Sequence, residues 1–81
     1  MAQLDEVLLN LVKPMVEDQD NLSVKIMDED SREIVLAVYA KDNDIARLIG
    51  RKGAMASALR QVMSVASHAE NKRVTIKFEQ I

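Results

Sequence analysis

The sequence predicts a small α+β domain in which three helices pack on one face of a three-stranded sheet. Apolar residues recur at helical spacing in three segments and alternate at period two in segments between and after them. Both glycines of the chain lie in one tetrapeptide between two helical segments, Gly50-Arg51-Lys52-Gly53. With 81 residues, we expect a single domain over residues 1–81, in the order helix, strand, strand, helix, helix, strand.

The first helix is predicted over residues 3 to about 16. Its apolar stripe suits an amphipathic helix, and Pro14 predicts a kink or an irregular last turn. Further apolar residues widen this surface, which indicates either a broad core contact or a partner surface. The stripe is Leu4, Leu8, Leu11, Val12 and Met15, and the additional residues are Val7, Leu9 and Val16.

Alternation of Leu22, Val24 and Ile26 with polar residues predicts the first strand, followed by a hairpin loop over residues 27–32. The acidic run in that loop lacks the spacing and the glycine of a calcium loop. We interpret it as a solvated turn, and no metal site or cofactor is expected.

Residues 33–40 are apolar on both faces, which predicts a central strand or the wall of a groove or interface. The last strand is predicted over residues 73–79, with Val74, Ile76 and Phe78 pointing inward. The pattern leaves open whether this strand pairs with the first strand or the second.

The second helix is predicted to begin with Asp42 or Asn43 as N-cap and to end at Gly50. The third runs from about residue 54 to 69, with His68 in its last turn. Its apolar residues are Met55, Leu59, Val62, Met63 and Ala66, and its predicted polar side holds Ser57, Arg60, Gln61, Ser64 and Ser67.

The corner between these helices has the composition of a phosphate site. Glycine reaches positive φ without strain and lets a ligand approach the backbone closely. The helix beginning near Ala54 would direct N–H groups and its positive dipole end to the same place, and Arg51 and Lys52 add charge. The alternative is a structural turn with a solvated charge pair.

Composition restricts the remaining possibilities. Formal net charge is −2, but residues 1–40 carry −6 and residues 41–81, which hold the glycine corner, carry +4. Without cysteine there is no disulfide or thiol site, and with only Tyr39 and Phe78 aromatic there is no platform for base stacking. Asp5 and Glu6 stand where a secretory signal needs cations, and no apolar run is long enough for a membrane span, so we expect a soluble, cytoplasmic protein.

The element order and the Gly-X-X-Gly corner resemble a type II KH domain, with the arrangement α-β-β-α-α-β, over essentially the whole chain. The match is closest to the small bacterial KH proteins of the KhpA family. It is carried by Ile45-Ala46-Arg47-Leu48-Ile49-Gly50-Arg51-Lys52-Gly53 and by Ala56-Ser57-Ala58-Leu59-Arg60. Ala54 departs from the family, in which a cation often follows the second glycine.

This resemblance implies a cytoplasmic protein that binds single-stranded RNA through its GXXG loop. It also implies a homodimer or pairing with a KhpB (Jag)-type KH protein, and a role in RNA chaperoning and in regulating cell shape, cell-wall growth and division. The alternative is a protein-interaction module with a purely structural corner, and no constellation of residues favours an enzyme. The expected RNA-binding residues are Gly50, Arg51, Lys52, Gly53, Ile49, Ala54, Arg47, Arg60 and Ile45.

Overall fold

The computed structural model of this chain describes residues 3–69 and 71–81. Short 3-10 turns follow the first helix, precede the first strand and fill the corner between the second and third helices. The predicted order of helices and strands is confirmed. The elements are α1 (Leu4–Val12), β1 (Ser23–Glu29), β2 (Glu33–Ala40), α2 (Asp42–Ile49), α3 (Ala54–His68) and β3 (Arg73–Gln80).

The sheet has the order β1-β2-β3, so β2 is the central strand. It runs antiparallel to β1 and parallel to β3, with Leu36 opposite Ile26 on one side and Ile76 on the other. This pairing explains why β2 is apolar on both faces, and it shows that the last strand pairs with the second.

One hydrophobic core joins the three helices to one face of the sheet. Leu8, Leu36, Leu48 and Met63 contribute from α1, β2, α2 and α3 and are fully buried. On β3, Ile76 is buried, whereas Val74 and Phe78 are half-buried and pack against the same core, as predicted.

The end of α1 follows from Pro14, which lies in a 3-10 turn over Lys13–Met15 directly after the helix. A proline in that turn removes a donor that a continuing α-helix would need. The irregular last turn is therefore confirmed. Val16, beyond the end of α1, is buried and Val7 packs against the core, so both of these residues serve the core contact.

Two predicted boundaries are wrong. Strand β1 continues to Glu29, which shortens the hairpin loop to Asp30–Arg32, because a bulge between Ile26 and Asp28 accommodates Met27 without ending the pairing. The N-cap of α2 is Lys41, whose carbonyl accepts the Ile45 amide at 2.8 Å, and not Asp42 or Asn43.

The faces of α3 also differ from the prediction. Ser67 was assigned to the polar side, but it is buried, and its hydroxyl donates a hydrogen bond to the Ser64 carbonyl at 3.0 Å. Met55 and Val62 were assigned to the helix's apolar set, yet they remain 39% and 48% exposed. A seryl hydroxyl can satisfy itself on its own helix backbone, which lets a small polar residue enter a core.

A buried carboxylate attaches α2 to the segment that follows α1. Asp44, in the first turn of α2, is fully buried, and its two oxygens accept the backbone amides of Glu17 and Asp18 at 2.9 and 3.1 Å. Asp18 in turn pairs with Lys41 at 3.0 Å. This cluster holds the start of α2, and so fixes the helix that leads into the glycine corner.

Asp44→Asn should lower the free energy of unfolding by about 1–3 kcal/mol. The side-chain NH2 of asparagine cannot accept a hydrogen bond, so one of the two backbone amides, of Glu17 or Asp18, would lose its acceptor. Urea denaturation followed by circular dichroism measures this change. Asp42→Asn is the matched control, since Asp42 is exposed in the same helical turn and, among the described residues, accepts a hydrogen bond only from the neighbouring Asn43 amide. Equal stability of the two variants would contradict the role assigned to Asp44.

Two turns are held by carboxylates whose pKa is lowered. Asp30 accepts the amides of Arg32 and Glu33 at 2.7 and 2.8 Å, and these bonds hold its pKa below the ordinary 3.8. The pKa of Asp18 is also lowered, mainly by the hydrogen bond from the Asn21 side chain and next by the one from Lys41. Asp30 thus holds an exposed turn, whereas Asp28 and Glu29 of the same acidic run lie in β1.

A lowered folded-state pKa contributes stability that is present above pH 3.8 and lost as pH falls through the folded value. The double variant Asp18→Asn, Asp30→Asn should therefore lose less stability than the parent chain when urea midpoints are compared above and below pH 3.8. Asp20→Asn with Asp28→Asn removes two exposed carboxyls that do not accept the amides of these turns and is the control. Identical pH profiles for the parent and the Asp18/Asp30 variant would overturn the assignment.

Candidate nucleic-acid interface

The corner between α2 and α3 is built from left-handed backbone. Gly50 has φ 77° and ψ 176°, a combination that essentially only glycine adopts. Gly53 has φ 77° and ψ 13°, and Lys52 between them also has a positive φ of 56°. These angles reverse the chain within four residues, so α3 starts directly beside the end of α2.

The two glycines serve different needs. A Cβ on Gly50 would lie 2.7 Å from the Met55 Cβ and 2.8 Å from its backbone nitrogen, so this glycine is required by packing. A Cβ on Gly53 would meet no protein atom within 4 Å. The backbone at Gly53 therefore faces open space, where a ligand can approach the main chain.

Two amides of the corner are occupied and two are free. The amide of Gly50 donates to the Ala46 carbonyl at 2.9 Å and that of Gly53 to the Gly50 carbonyl at 3.2 Å. Within residues 3–69 and 71–81, the amides of Arg51 and Lys52 donate to no protein acceptor. Because φ is positive at Lys52 but not at Arg51, these successive N–H groups can face a common concavity of the kind that binds anions.

The side chains at the two middle positions are available as well. Arg51 and Lys52 are exposed, and among the residues that the structure describes neither forms an ion pair. They lie at the start of α3, whose dipole adds partial positive charge at the same end. The amide of Ala54, by contrast, already donates to the Arg51 carbonyl.

Apolar side chains beside the corner divide between core and surface. Leu48 is fully buried in the core and Ile45 is half-buried, whereas Ile49 is 36% exposed. Met55, packed against Gly50, is also exposed and was missed as a surface residue, since helical spacing alone cannot separate it from the core set. Ile49 and Met55 thus place aliphatic surface on either side of the loop.

The two outlying arginines have different environments. Arg47, in the last turn of α2, is paired with Glu17, so it is less available to a ligand than its position in the sequence suggests. Arg60 is exposed on α3, six residues beyond the helix start and therefore about 9 Å along its axis from the corner. The structure thus brings together Ile49 through Ala54, with Arg47 and Arg60 at the margin.

A polar cavity of about 620 Å³ lies at the opposite end of α3, and its lining includes Arg32, Ser64, His68 and Arg73. Lys72, also in the lining, is paired with Glu29. None of the predicted RNA-binding residues lines this cavity. Within the described ranges, no three His, Asp or Glu side chains are grouped to hold a metal ion.

The chain matches the family model described as KhpA/KhpB, KH domain, over residues 5–78. It belongs to this family. The α-β-β-α-α-β order with a mixed three-stranded sheet, seen in the structure, is the KH arrangement that the sequence predicted. No solved structure matches the chain with statistical significance.

Relatives of similar length are named RNA-binding protein KhpA. That of Streptococcus pneumoniae serotype 4 is 32% identical over 78 residues, which cover 94% of this chain and 96% of the relative. That of Clostridium acetobutylicum is 31% identical, with 91% and 97% covered, and that of Bacillus subtilis is 28% identical, with 88% and 86% covered. In the part of this chain that the structure describes, no helix is long and apolar enough to traverse a bilayer.

Gly50→Ala should destabilise the fold more than Gly53→Ala. The first variant combines a forbidden backbone conformation with a 2.7 Å contact, for which we expect a loss of about 3 kcal/mol or more. The second carries only the left-handed penalty of about 1–2 kcal/mol. Thermal melting of both proteins measures the difference.

Gly53→Asn is the control, since asparagine tolerates left-handed φ, and it should recover part of the loss seen with alanine. Equal destabilisation by alanine at the two glycines would contradict the distinction between a packed and an open position.

Proposed function

We propose that this protein binds single-stranded RNA through the GXXG loop, with the exposed amides of Arg51 and Lys52 directed at the phosphates. The observation that carries this proposal is the combination of two unpaired amides, two unpaired cations and an open approach at Gly53. The relatives' name, RNA-binding protein KhpA, supports the same class of ligand.

The sequence predicts RNA binding by all four corner residues, whose backbone amides would then be directed at the phosphates. The occupied amides of Gly50 and Gly53 restrict that role to the two between them. Gly50 then acts by shaping the turn, and Gly53 by leaving room for the sugar-phosphate chain. Ala54 contributes the start of α3, and its amide is satisfied within the protein.

Contacts to the bases would come from aliphatic surface. Ile49 and Met55 are exposed beside the loop and Ile45 is half-buried one turn earlier, so bases can rest on them while Leu48 stays in the core. Tyr39 lies on the sheet, where its hydroxyl contacts the Met27 sulfur, and offers no stacking surface at the corner. Preference among bases should therefore be modest.

Arg60 extends the cationic path along α3, and Arg47 can join it when RNA competes with Glu17 for the guanidinium. An exposed ion pair contributes little to stability, so this exchange costs little. About three neutralised phosphates correspond to a log–log salt dependence of roughly −2. One loop should accordingly bind RNA weakly, and pairing of two domains would raise the apparent affinity.

The family resemblance extends the proposal beyond the single domain. The protein acts in the cytoplasm as a homodimer, or with a KhpB (Jag)-type KH protein, without catalysis and without a cofactor. Its physiological role would be RNA chaperoning that affects cell shape, cell-wall growth and division. The competing hypothesis is a protein-interaction module that uses its exposed apolar residues and not the loop.

The double variant Arg51→Asp, Lys52→Asp should reduce affinity for a short single-stranded RNA at least tenfold, because it replaces two cations at the phosphate site with anions. Aspartate suits the left-handed φ of 56° at Lys52, so the melting temperature should stay close to that of the parent chain. Fluorescence anisotropy at several salt concentrations gives both affinity and salt slope, and the slope should flatten.

Lys13→Asp with Lys77→Asp makes the same change in net charge at two exposed positions outside the corner, and it serves as the control. RNA affinity that falls equally in both variants would indicate a general charge effect, and unchanged affinity in the loop variant would refute the proposal.

A further inference from the structure

The polar cavity of about 620 Å³ lies where the end of α3 meets the starts of β2 and β3, away from the GXXG corner. Its volume is in the range of sites that hold small ligands. Among the described residues that line it, Arg32, Lys72 and Arg73 are cations and Glu33 is the one acid. Positive charge thus exceeds negative charge in this lining, although the formal net charge of the chain is −2.

The backbone makes two of these cations neighbours, since the Arg73 amide donates to the Arg32 carbonyl at 2.8 Å. Both arginines are exposed, and among the residues that the structure describes neither forms an ion pair. Lys72, by contrast, is paired with Glu29. A guanidinium group can donate to two oxygens of one phosphate at once, so the two arginines are the groups best suited to hold an anion in the cavity.

The carboxyl end of α3 opposes an anion, because a helix carries partial negative charge at that end. Two of its last carbonyls are already occupied. The Ser67 carbonyl accepts the Lys72 amide at 3.3 Å, and the His68 carbonyl accepts the Asn71 amide at 3.1 Å. Asn71 adopts a left-handed φ of 55°, which allows this closure. The remaining partial charge is smaller than the full charges of two guanidinium groups, so the cavity still favours an anion.

A polar face of α3 joins this cavity to the GXXG corner. Its members are separated by three, four and four residues, which at 100° per residue places them within about 80° of the helix circumference. They are Ser57, Arg60, Ser64 and His68, all of them exposed, and the last two line the cavity. Residues 54–69 contain no Asp or Glu, so an anionic chain that follows this face meets no carboxylate of α3.

We infer that the cavity is a second RNA subsite, which takes one nucleotide of the strand that the GXXG loop binds and holds its phosphate group with Arg32 and Arg73. The cavity is larger than a phosphate group needs, and the imidazole of His68 offers a surface on which the base can stack. Arg60 lies between the two sites and provides a cation for the intervening phosphates. This inference rests on the proposed RNA binding and extends it from one site to two.

The separation of the two sites sets the length of RNA that can reach both. From Ala54 to Ser64 and His68 the rise along the helix axis is about 15 and 21 Å. A stacked strand advances about 3.4 Å per nucleotide, so about five or six nucleotides bridge this distance. An RNA of about four nucleotides, the length that a GXXG loop clamps, can therefore occupy only one site, whereas an RNA of about 12 nucleotides can occupy both.

The experiment compares these two RNA lengths. Arg32→Gln with Arg73→Gln should lower the affinity for the longer RNA about tenfold in fluorescence anisotropy and leave the shorter RNA's binding at the corner unchanged. Glu33→Gln, which removes a carboxylate from the lining, should raise the affinity for the longer RNA about twofold. Lys13→Gln with Lys77→Gln removes the same two charges at exposed positions outside both sites, and it is the control.

An NMR titration of the parent chain locates the contacts. The longer RNA should shift the backbone amides of Ser64, His68 and Asn71 together with those of the corner, and the shorter RNA should shift the corner amides alone. With the longer RNA, shifts confined to the corner would contradict the second subsite, whereas shifts confined to the cavity would contradict the role of the GXXG loop.

Two further results would overturn the inference. The first is a loss of affinity for the longer RNA that is equal in the Arg32/Arg73 variant and in the Lys13/Lys77 control, or absent from both. The second is a 5′-mononucleotide that shifts the cavity amides when the longer RNA does not, because the cavity would then take a free phosphate ester and not the RNA strand.

Discussion

The structure depends on the close approach of Gly50 to Met55. Only a residue without a Cβ can occupy this position, because an added carbon would lie 2.7 Å from the Met55 Cβ. The approach lets α2 end and α3 begin within four residues, which sets both helices on the same sheet face. Arg51 and Lys52 are exposed in the turn between the two helices. The same steric constraint therefore determines the fold and presents the amides of the proposed phosphate site.

A second constraint fixes the helix that enters the corner. Asp44 is buried, no cation of residues 3–69 and 71–81 lies within hydrogen-bonding distance of it, and two backbone amides satisfy its oxygens. A buried carboxylate is tolerated when such donors compensate for its lost hydration. The segment after α1 thereby becomes part of the support for α2, and Glu17 is brought to Arg47. The environment of Arg47, at the margin of the candidate site, is thus coupled to the packing of the segment after α1.

Local sequence patterns predicted the fold well where a feature, such as a helix end or a turn, depends on one residue or a short segment. Pro14 ended α1, the glycine pair marked the corner, and alternation along β3 identified its inward face. Prediction failed where contacts with distant parts of the chain determine whether a residue is buried or how a strand pairs. Nothing in the spacing of Asp44 distinguishes it from exposed Asp42, and the bulge at Met27 depends on its pairing with β2. For the candidate site, the loop residues were predictable from composition, but which amides are free depends on hydrogen bonds that the sequence does not encode locally.

The division of α3 into faces explains how one short helix can serve several purposes. Its buried side closes the core, its first turn lies beside the candidate phosphate site, and Val62 and Val65 are exposed farther along the helix. These places hold different residue types: Leu59 and Met63 lie in the core, and glycine and cations lie at the corner. Helical geometry separates them by angle and by axial position, so a change on one face need not disturb another.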